Sequence, residues 1–183
     1  MNFKLLNNTG NNVNLLILFF ILCCLAVFIS PAFLDFDNIQ NIIRTVMVLG
    51  IIAFGMTMVM ILGEIDLSVG SIAAFSCAFG GLFVNSDSSL LVISLTLLAG
   101  AFCGFLNGIG VAIVKVPSLI MTLGTMAIIR NAGYIMTKGQ AAYPTKLDIY
   151  MASAKGYLGI FPIPVIIFII LSIICAILIR YST

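Results

Sequence analysis

Apolar residues in this chain come in long runs separated by short polar breaks. Six apolar segments stand out, at roughly 14–34, 45–63, 69–85, 90–114, 118–137 and 162–180. A run of about 20 apolar residues is long enough to cross a bilayer as a helix. The breaks have local causes. "SPAFLDFDN" joins a proline to two aspartates, "NSDSS" is a short polar turn, and "KVPS" sets Lys115 and Pro117 between two segments. Pro117 disfavours a helical conformation at Val116, and Ser118 is a suitable N-cap for the helix after it. The pattern predicts an all-α, polytopic membrane protein with about six transmembrane helices.

Composition sharpens this. Of the 183 residues, 62% are hydrophobic and 8% are charged, whereas a soluble domain carries roughly a quarter charged residues. A surface so poor in charge fits a lipid solvent. The formal net charge of +2 rests on few groups. No basic block is able to neutralise several phosphates, which argues against nucleic-acid binding. There is no histidine, and Cys23, Cys24, Cys77, Cys103 and Cys175 all lie inside apolar runs without metal-ligand spacing. They read as packing residues, and no cofactor or metal is expected. The N-terminus, "MNFKLLNNTGNNVN", leads into an apolar stretch from Leu15 to Leu34. That stretch is longer than a signal-peptide core and lacks an A-x-A exit, so it reads as a retained anchor.

Orientation follows from the basic residues. With a cytoplasmic N-terminus, the inner ends carry Lys4, Lys115 and Arg180, while the outer turns carry Asp35, Asp37 and Asp87. This agrees with the positive-inside rule. Two features dissent: the loop 138–161 holds Lys138, Lys146 and Lys155 yet falls outside, and Arg44 sits at an outer edge. The same loop carries Tyr143, Tyr150 and Tyr157. It reads either as a docking surface for an external partner or as a connection with interfacial tyrosines.

Gly100, Gly104 and Gly108 form two overlapping GxxxG motifs, and Gly70, Ala74 and Ala78 repeat the spacing in the third segment. Such faces predict close helix packing. Lining of a narrow path is the alternative reading.

The chemistry concentrates in "ILGEIDLSVGSIAAF", residues 61–75, where Glu64 and Asp66 stand beside Ser68, Gly70 and Ser71. Two readings fit. Glu64 and Asp66 lie in a turn between spans, with Asp66 capping the next helix. Alternatively, the backbone breaks beside a substrate path, where polar groups face protein or water. Further on, Arg130 lies about 12 residues into its helix, roughly 18 Å along it. It needs a partner, a wet cavity or a snorkelling route to the interface. Thr122, Gly124 and Thr125 place hydroxyls and a flexible point near mid-depth, and Asn107 is suited to an interhelical hydrogen bond or to lining a path.

Several chemistries have no motif here: no phosphate loop, no H-E-x-x-H, no C-x-x-C and no G-x-S-x-G. An intramembrane aspartyl protease needs a second aspartate able to meet Asp66. Asp35, Asp37, Asp87 and Asp148 are poorly placed for it. No catalytic residue is assigned.

With these residues in view, "GIIAFGMTMVMILGEIDLSVGSIAAF" resembles the signature of ribose-type permeases, the transmembrane subunits of bacterial ABC importers for simple sugars. "FCGFLNGIGVAIVKVPSLIMTLGTMAIIR" and, earlier, "FDNIQNIIR" match the same family in order, so the resemblance covers about residues 15–140. Glu64 stands where the family pattern most often has Gly. Carried over by position, Asp66, Ser68, Gly70 and Ser71 belong to the signature, and Asn107, Thr122, Gly124 and Thr125 to the matching central spans. The resemblance implies a non-catalytic subunit forming a translocation path in the bacterial inner membrane. Its implied partners are a second permease subunit (identical or not), a cytoplasmic ABC ATPase that hydrolyses ATP, and an extracytoplasmic sugar-binding protein. Family members are longer, which makes residues 1–183 part of a larger permease fold, incomplete at the C-terminus. A non-transporting membrane scaffold or assembly subunit is the alternative.

Overall fold

A computed structural model describes residues 9–84, 88–140, 148–159 and 161–182. Lys4, Asp87, Tyr143 and Lys146 lie outside the described residues. The chain divides into two compact units, Met1–Thr45 and Val46–Thr183.

The first unit opens with α1 (Thr9–Ile29). The apolar run continues to Leu34, but the helix does not. Pro31 has no N–H to donate and biases Ser30 toward extended backbone, and Ser30 is found there, at φ −142° and ψ 108°. A 3₁₀ turn, Pro31–Leu34, follows. Asn38 Nδ2 donates to the Phe33 carbonyl at 2.8 Å, tying this turn to the start of α2 (Phe36–Ile61). α2 begins well before its apolar stretch. Asp37 lies in its first turn, where a carboxylate complements the helix dipole.

In the second unit, α3 (Val69–Gly81), α4 (Ser89–Ala112) and α5 (Ser118–Thr137) pack against one another. α3 has only 13 residues, about 20 Å of helix, too short for a bilayer core of roughly 30 Å. Among the described residues, four helical stretches are long and apolar enough to cross a membrane: Phe36–Ile61, Ser89–Ala112, Ser118–Thr137 and Ile163–Arg180. The 138–161 connection is more structured than its sequence suggested. It contains α6 (Asp148–Lys155), which packs on α4, and a short hairpin pairing β1 (Tyr157–Leu158) with β2 (Phe161–Pro162). α7 (Ile163–Ser182) follows, and its Phe168 ring lies against Gly50 and, with centroids 5.3 Å apart, against Phe54 of α2.

The pattern of burial is inverted relative to a water-soluble protein. Ser68, Ser71, Ser76, Ser89, Asn107 and Thr122 are buried, while Phe102, Phe105, Ile128, Ile135 and Ile173 are exposed. Lipid tails are as apolar as leucine, so helices here associate through close packing and internal hydrogen bonds. Both are visible between α3 and α4. Ser76 and Thr96 each return their hydroxyl proton to the carbonyl four residues back, at 2.7 and 2.8 Å. A Cβ at Gly100 would lie 3.0 Å from Ser76 Oγ, and one at Gly80 would press on the Thr96 side chain. Gly104 and Gly108 differ from Gly100. A Cβ at either meets nothing within 4 Å, so among the described residues only the first glycine of the double GxxxG makes the close helix contact.

These glycines are expected to respond oppositely to substitution. Gly80→Val overpacks the α3–α4 contact and is expected to lower stability by about 1–3 kcal/mol. Gly108→Ala adds a methyl group into open space while relieving helix entropy, an expected gain of about 0.5–1 kcal/mol. Thermal unfolding of the purified chain in detergent measures both.

Candidate functional site

The segment between α2 and α3 is stopped and started by specific bonds. At the end of α2, Glu64 N–H donates to the Val59 carbonyl (3.2 Å) and Gly63 N–H to the Met60 carbonyl (3.0 Å). Gly63 has φ +77°, so this is a left-handed helix stop in which the missing Cβ matters. At the start of α3, Asp66 Oδ1 accepts from Ser68 N (2.7 Å) and from Ser68 Oγ (2.6 Å). Asp66 therefore holds the residue that precedes the helix and does not cap an amide within its first turn. Ser71 Oγ donates to the Ser68 carbonyl at 2.8 Å, which also accepts from Ile72 N at 2.9 Å.

Two long-range ties fix this segment to the other helices. Asn107 Nδ2 of α4 donates to Ser68 Oγ at 2.8 Å. Ser68 has 0% of its surface exposed and Asn107 has 5%. On α5, Ser118 Oγ accepts from Ile65 N at 3.3 Å, and Thr122 Oγ1 donates to the Ser118 carbonyl at 2.7 Å with a second, longer approach to the Ile65 carbonyl at 3.4 Å. Pro117 takes the N-cap position that the sequence suggested for Ser118. Ser118 is instead the first helical residue, and its hydroxyl serves the facing turn. The α4–α5 connection is tight: Val116 N–H donates to the Gly110 carbonyl at 3.0 Å, and Lys115 occupies left-handed backbone at φ 64°.

These ties border a cavity of about 540 Å³, whose polar walls include Glu64, Asp66, Asn107, Lys115, Ser118 and Thr122. Gly104 and Gly108 line it too, and the space beside them belongs to this cavity. Its volume falls within the range of small-molecule sites. Of the sequence candidates, Asp66, Asn107 and Thr122 line it, while Ser68 and Ser71 are buried next to them and do not. Gly70 and Gly124 have nothing within 4 Å of a Cβ position and do not line the cavity. Thr125 returns its hydroxyl to Met121 and Thr122 carbonyls at 3.1 and 3.2 Å. Sequence reasoning missed the roles of Ser118 and Ile65, which act through a backbone tie across 53 residues. Lys115 had a basic residue's signal only; its place in the cavity wall had none.

A second cavity, about 380 Å³, lies between α3 and α5 and is lined by Ala74, Ala78, Arg130, Thr137 and Gln140 among others. Arg130 is exposed beside it. Arg130 thus lines an open space, as expected of charges in membrane segments, which face cavities or partners. No group of three or more metal-ligating side chains occurs among the described residues.

The Ser68–Asn107 bond is expected to couple α3 to α4. Comparable bonds between membrane helices contribute about 0.6 kcal/mol on average and up to about 1.7 kcal/mol. Burial of both partners places this one toward the upper end. A double-mutant cycle on Ser68→Ala and Asn107→Leu, read by unfolding in detergent, measures the coupling, and a value near zero would contradict the tie.

A family profile described as "Branched-chain amino acid transport system / permease component" matches residues 38–183. The ribose import permease protein RbsC of Haemophilus influenzae is 36% identical over 149 residues, covering 79% of this chain and 46% of that protein. The L-arabinose ABC transporter permease protein AraH of Azospirillum brasilense is 32% identical over 158 residues, covering 86% and 45%. The autoinducer 2 import system permease protein LsrC of Escherichia coli O157:H7 is 33% identical over 146 residues, covering 76% and 43%. The chain spans about half the length of the curated relatives it matches. No solved structure matches it. With the profile covering most of its length, the chain is a multi-pass membrane protein that belongs to the branched-chain amino acid transport system / permease component family.

Proposed function

We propose that the chain is a transmembrane permease subunit of an ABC importer for ribose or a related simple sugar, and that it forms part of the translocation path. The observation that carries this reading is the similarity to permeases whose names specify ribose, arabinose and autoinducer 2, at 32–36% identity. The family description names branched-chain amino acids; the relatives favour a polyhydroxylated cargo. The site agrees in kind. Its polar side chains are hydrogen-bonded to one another and to the backbone of the α2–α3 turn, an arrangement suited to holding helices in place beside a path. A cytoplasmic ABC ATPase supplies the energy, an extracytoplasmic sugar-binding protein delivers the cargo, and a second permease subunit completes the path. Asp66, Ser68, Ser71, Asn107 and Thr122 are the path and gating residues in this reading, with Gly70, Gly124 and Thr125 on the adjoining helices. Residues 1–183 serve one permease domain with a cytoplasmic N-terminus and an external segment at 138–161. The positive-inside distribution of Lys115 and Arg180 supports that orientation.

Reconstitution in liposomes with the cognate ATPase and binding protein tests this. ATP-dependent uptake of labelled ribose or arabinose is expected. Uptake of leucine in place of any sugar would contradict the cargo, and a stable complex that forms without ATPase or binding protein and moves nothing would favour a scaffold.

A further inference from the structure

The second cavity, between α3 and α5, carries an inference that is independent of the cargo. α5 runs about 30 Å from Ser118 to Thr137, whereas α3 ends at Gly81 after about 20 Å. The two helices meet at Gly133, where an added Cβ would lie 3.6 Å from the Phe75 Cα. Alongside that contact is the open space of about 380 Å³. Ala74, Phe75 and Ala78 wall it on α3, Arg130 and Tyr134 wall it on α5, and Gln140 lies just past the end of α5. Among the described residues, no hydrogen bond or ion pair engages the Arg130 side chain. A cation about 18 Å along a membrane helix is costly without an anion or water beside it.

The chemistry of the wall specifies that anion. The Arg130 guanidinium, the Gln140 amide and the Tyr134 hydroxyl all carry N–H or O–H donors. None of these three side chains has a hydrogen bond among the described residues. Thr137 returns its hydroxyl proton to the Gly133 and Tyr134 carbonyls, at 3.1 and 3.4 Å. No acidic side chain lines the space among the described residues. A cationic, donor-rich wall selects a partner made of acceptors, and a guanidinium matches phosphate oxygens two at a time. A second copy of this chain has no carboxylate to offer at this depth. Asp35, Asp37, Glu64, Asp66 and Asp148 fall in turns or at helix ends, and Asp87 precedes α4 in sequence. The bilayer does offer an anion, the headgroup phosphate, with an acyl chain that suits Ala74, Phe75 and Ala78. Arg130 lies about 10 Å from the Thr137 end of α5, a distance bridged by its long side chain and by local drawing-in of the headgroup. A zwitterionic headgroup brings its own ammonium toward Arg130, which favours one with net negative charge.

We infer that the cavity between α3 and α5 is a binding site for an anionic phospholipid, with Arg130 holding the headgroup phosphate. Tyr134 and Gln140 donate to its oxygens, and the acyl chain lies along Ala74, Phe75 and Ala78. The lipid comes from the leaflet at the Thr137 end of α5, so the bilayer itself neutralises Arg130.

Native mass spectrometry of the full chain in neutral detergent tests the assignment, with phosphatidylglycerol, phosphatidylcholine and inorganic phosphate titrated separately. One saturable phosphatidylglycerol adduct is expected, at least about tenfold tighter than phosphatidylcholine. Arg130→Gln is expected to remove that preference, and Arg130→Lys to keep part of it because the charge remains. Ala78→Leu fills the apolar wall with Arg130 in place, and is expected to weaken phosphatidylglycerol binding. Arg180→Gln removes a basic residue of α7, which does not line the cavity, and is expected to change nothing. Thermal unfolding identifies any misfolded variant, and Arg130→Gln and Ala78→Leu probe the site independently. Equal affinity for the two lipids, or a preference undiminished in both of those variants, overturns the site. The same loss in Arg180→Gln overturns it too, since general surface charge then accounts for the binding. Saturable inorganic phosphate that Arg130→Gln abolishes, without phosphatidylglycerol binding, overturns the lipid as occupant.

Discussion

Asp66 ends a chain of hydrogen bonds that begins on another helix: Asn107 donates to Ser68, and Ser68 donates to Asp66. Two consequences follow from where it sits. A carboxylate close to a bilayer is costly unless its oxygens are occupied, and Asp66 Oδ1 is occupied by both the amide and the hydroxyl of Ser68. The occupying residue is itself fully buried, so the arrangement cannot be exchanged for water without opening the contact between α3 and α4. One local loop conformation is thereby coupled to the packing of three helices. The Ile65 tie to Ser118 extends the constraint to α5.

The remaining architecture accommodates this lock. α3 is short: its entry is given over to the polar segment at one end, and at the other Leu82 N–H closes the last turn on the Phe79 carbonyl. Its neighbours approach through small residues, at Gly80 against Thr96 and at Gly100 against Ser76. Hydroxyls on these faces are satisfied by their own helix backbone, which lets them be buried without a second partner. Past Gly100, a Cβ at Gly104 or Gly108 meets nothing within 4 Å. The space beside Gly104 and Gly108 becomes the cavity, and the lock forms one of its walls. Asn107 therefore belongs both to the tie with Ser68 and to the cavity wall, so its substitution changes both at once.

Much of this was legible in the residues. Apolar runs placed α4 and α5 closely, because lipid-facing helices need long uninterrupted stretches and Pro117 marks the junction. The break around Asp66 was visible as the place where charge interrupts apolar sequence. Three features were hidden for physical reasons. "FDNIQNIIR" reads as a connector by polarity, yet helix geometry tolerates polar side chains in its first turns, so α2 starts at Phe36. Gly100, Gly104 and Gly108 are identical in sequence terms, and only what lies beside each in space separates a packing glycine from a cavity glycine. The partnership of Ser68 with Asn107 spans 39 residues; each residue could be flagged alone, but periodicity carries no information about which of them meet.

The lock is tested most directly by hydrogen–deuterium exchange of residues 64–68 in nanodiscs. Ser68 N–H donates to Asp66 and Ile65 N–H to Ser118, so both amides are predicted to exchange slowly in the wild-type chain. Asn107→Leu should speed exchange of Ser68 by about tenfold or more, while α7 is unchanged. Exchange of Ser68 at the rate of an unprotected amide in the wild-type chain, or protection indifferent to the loss of Asn107, would contradict the account.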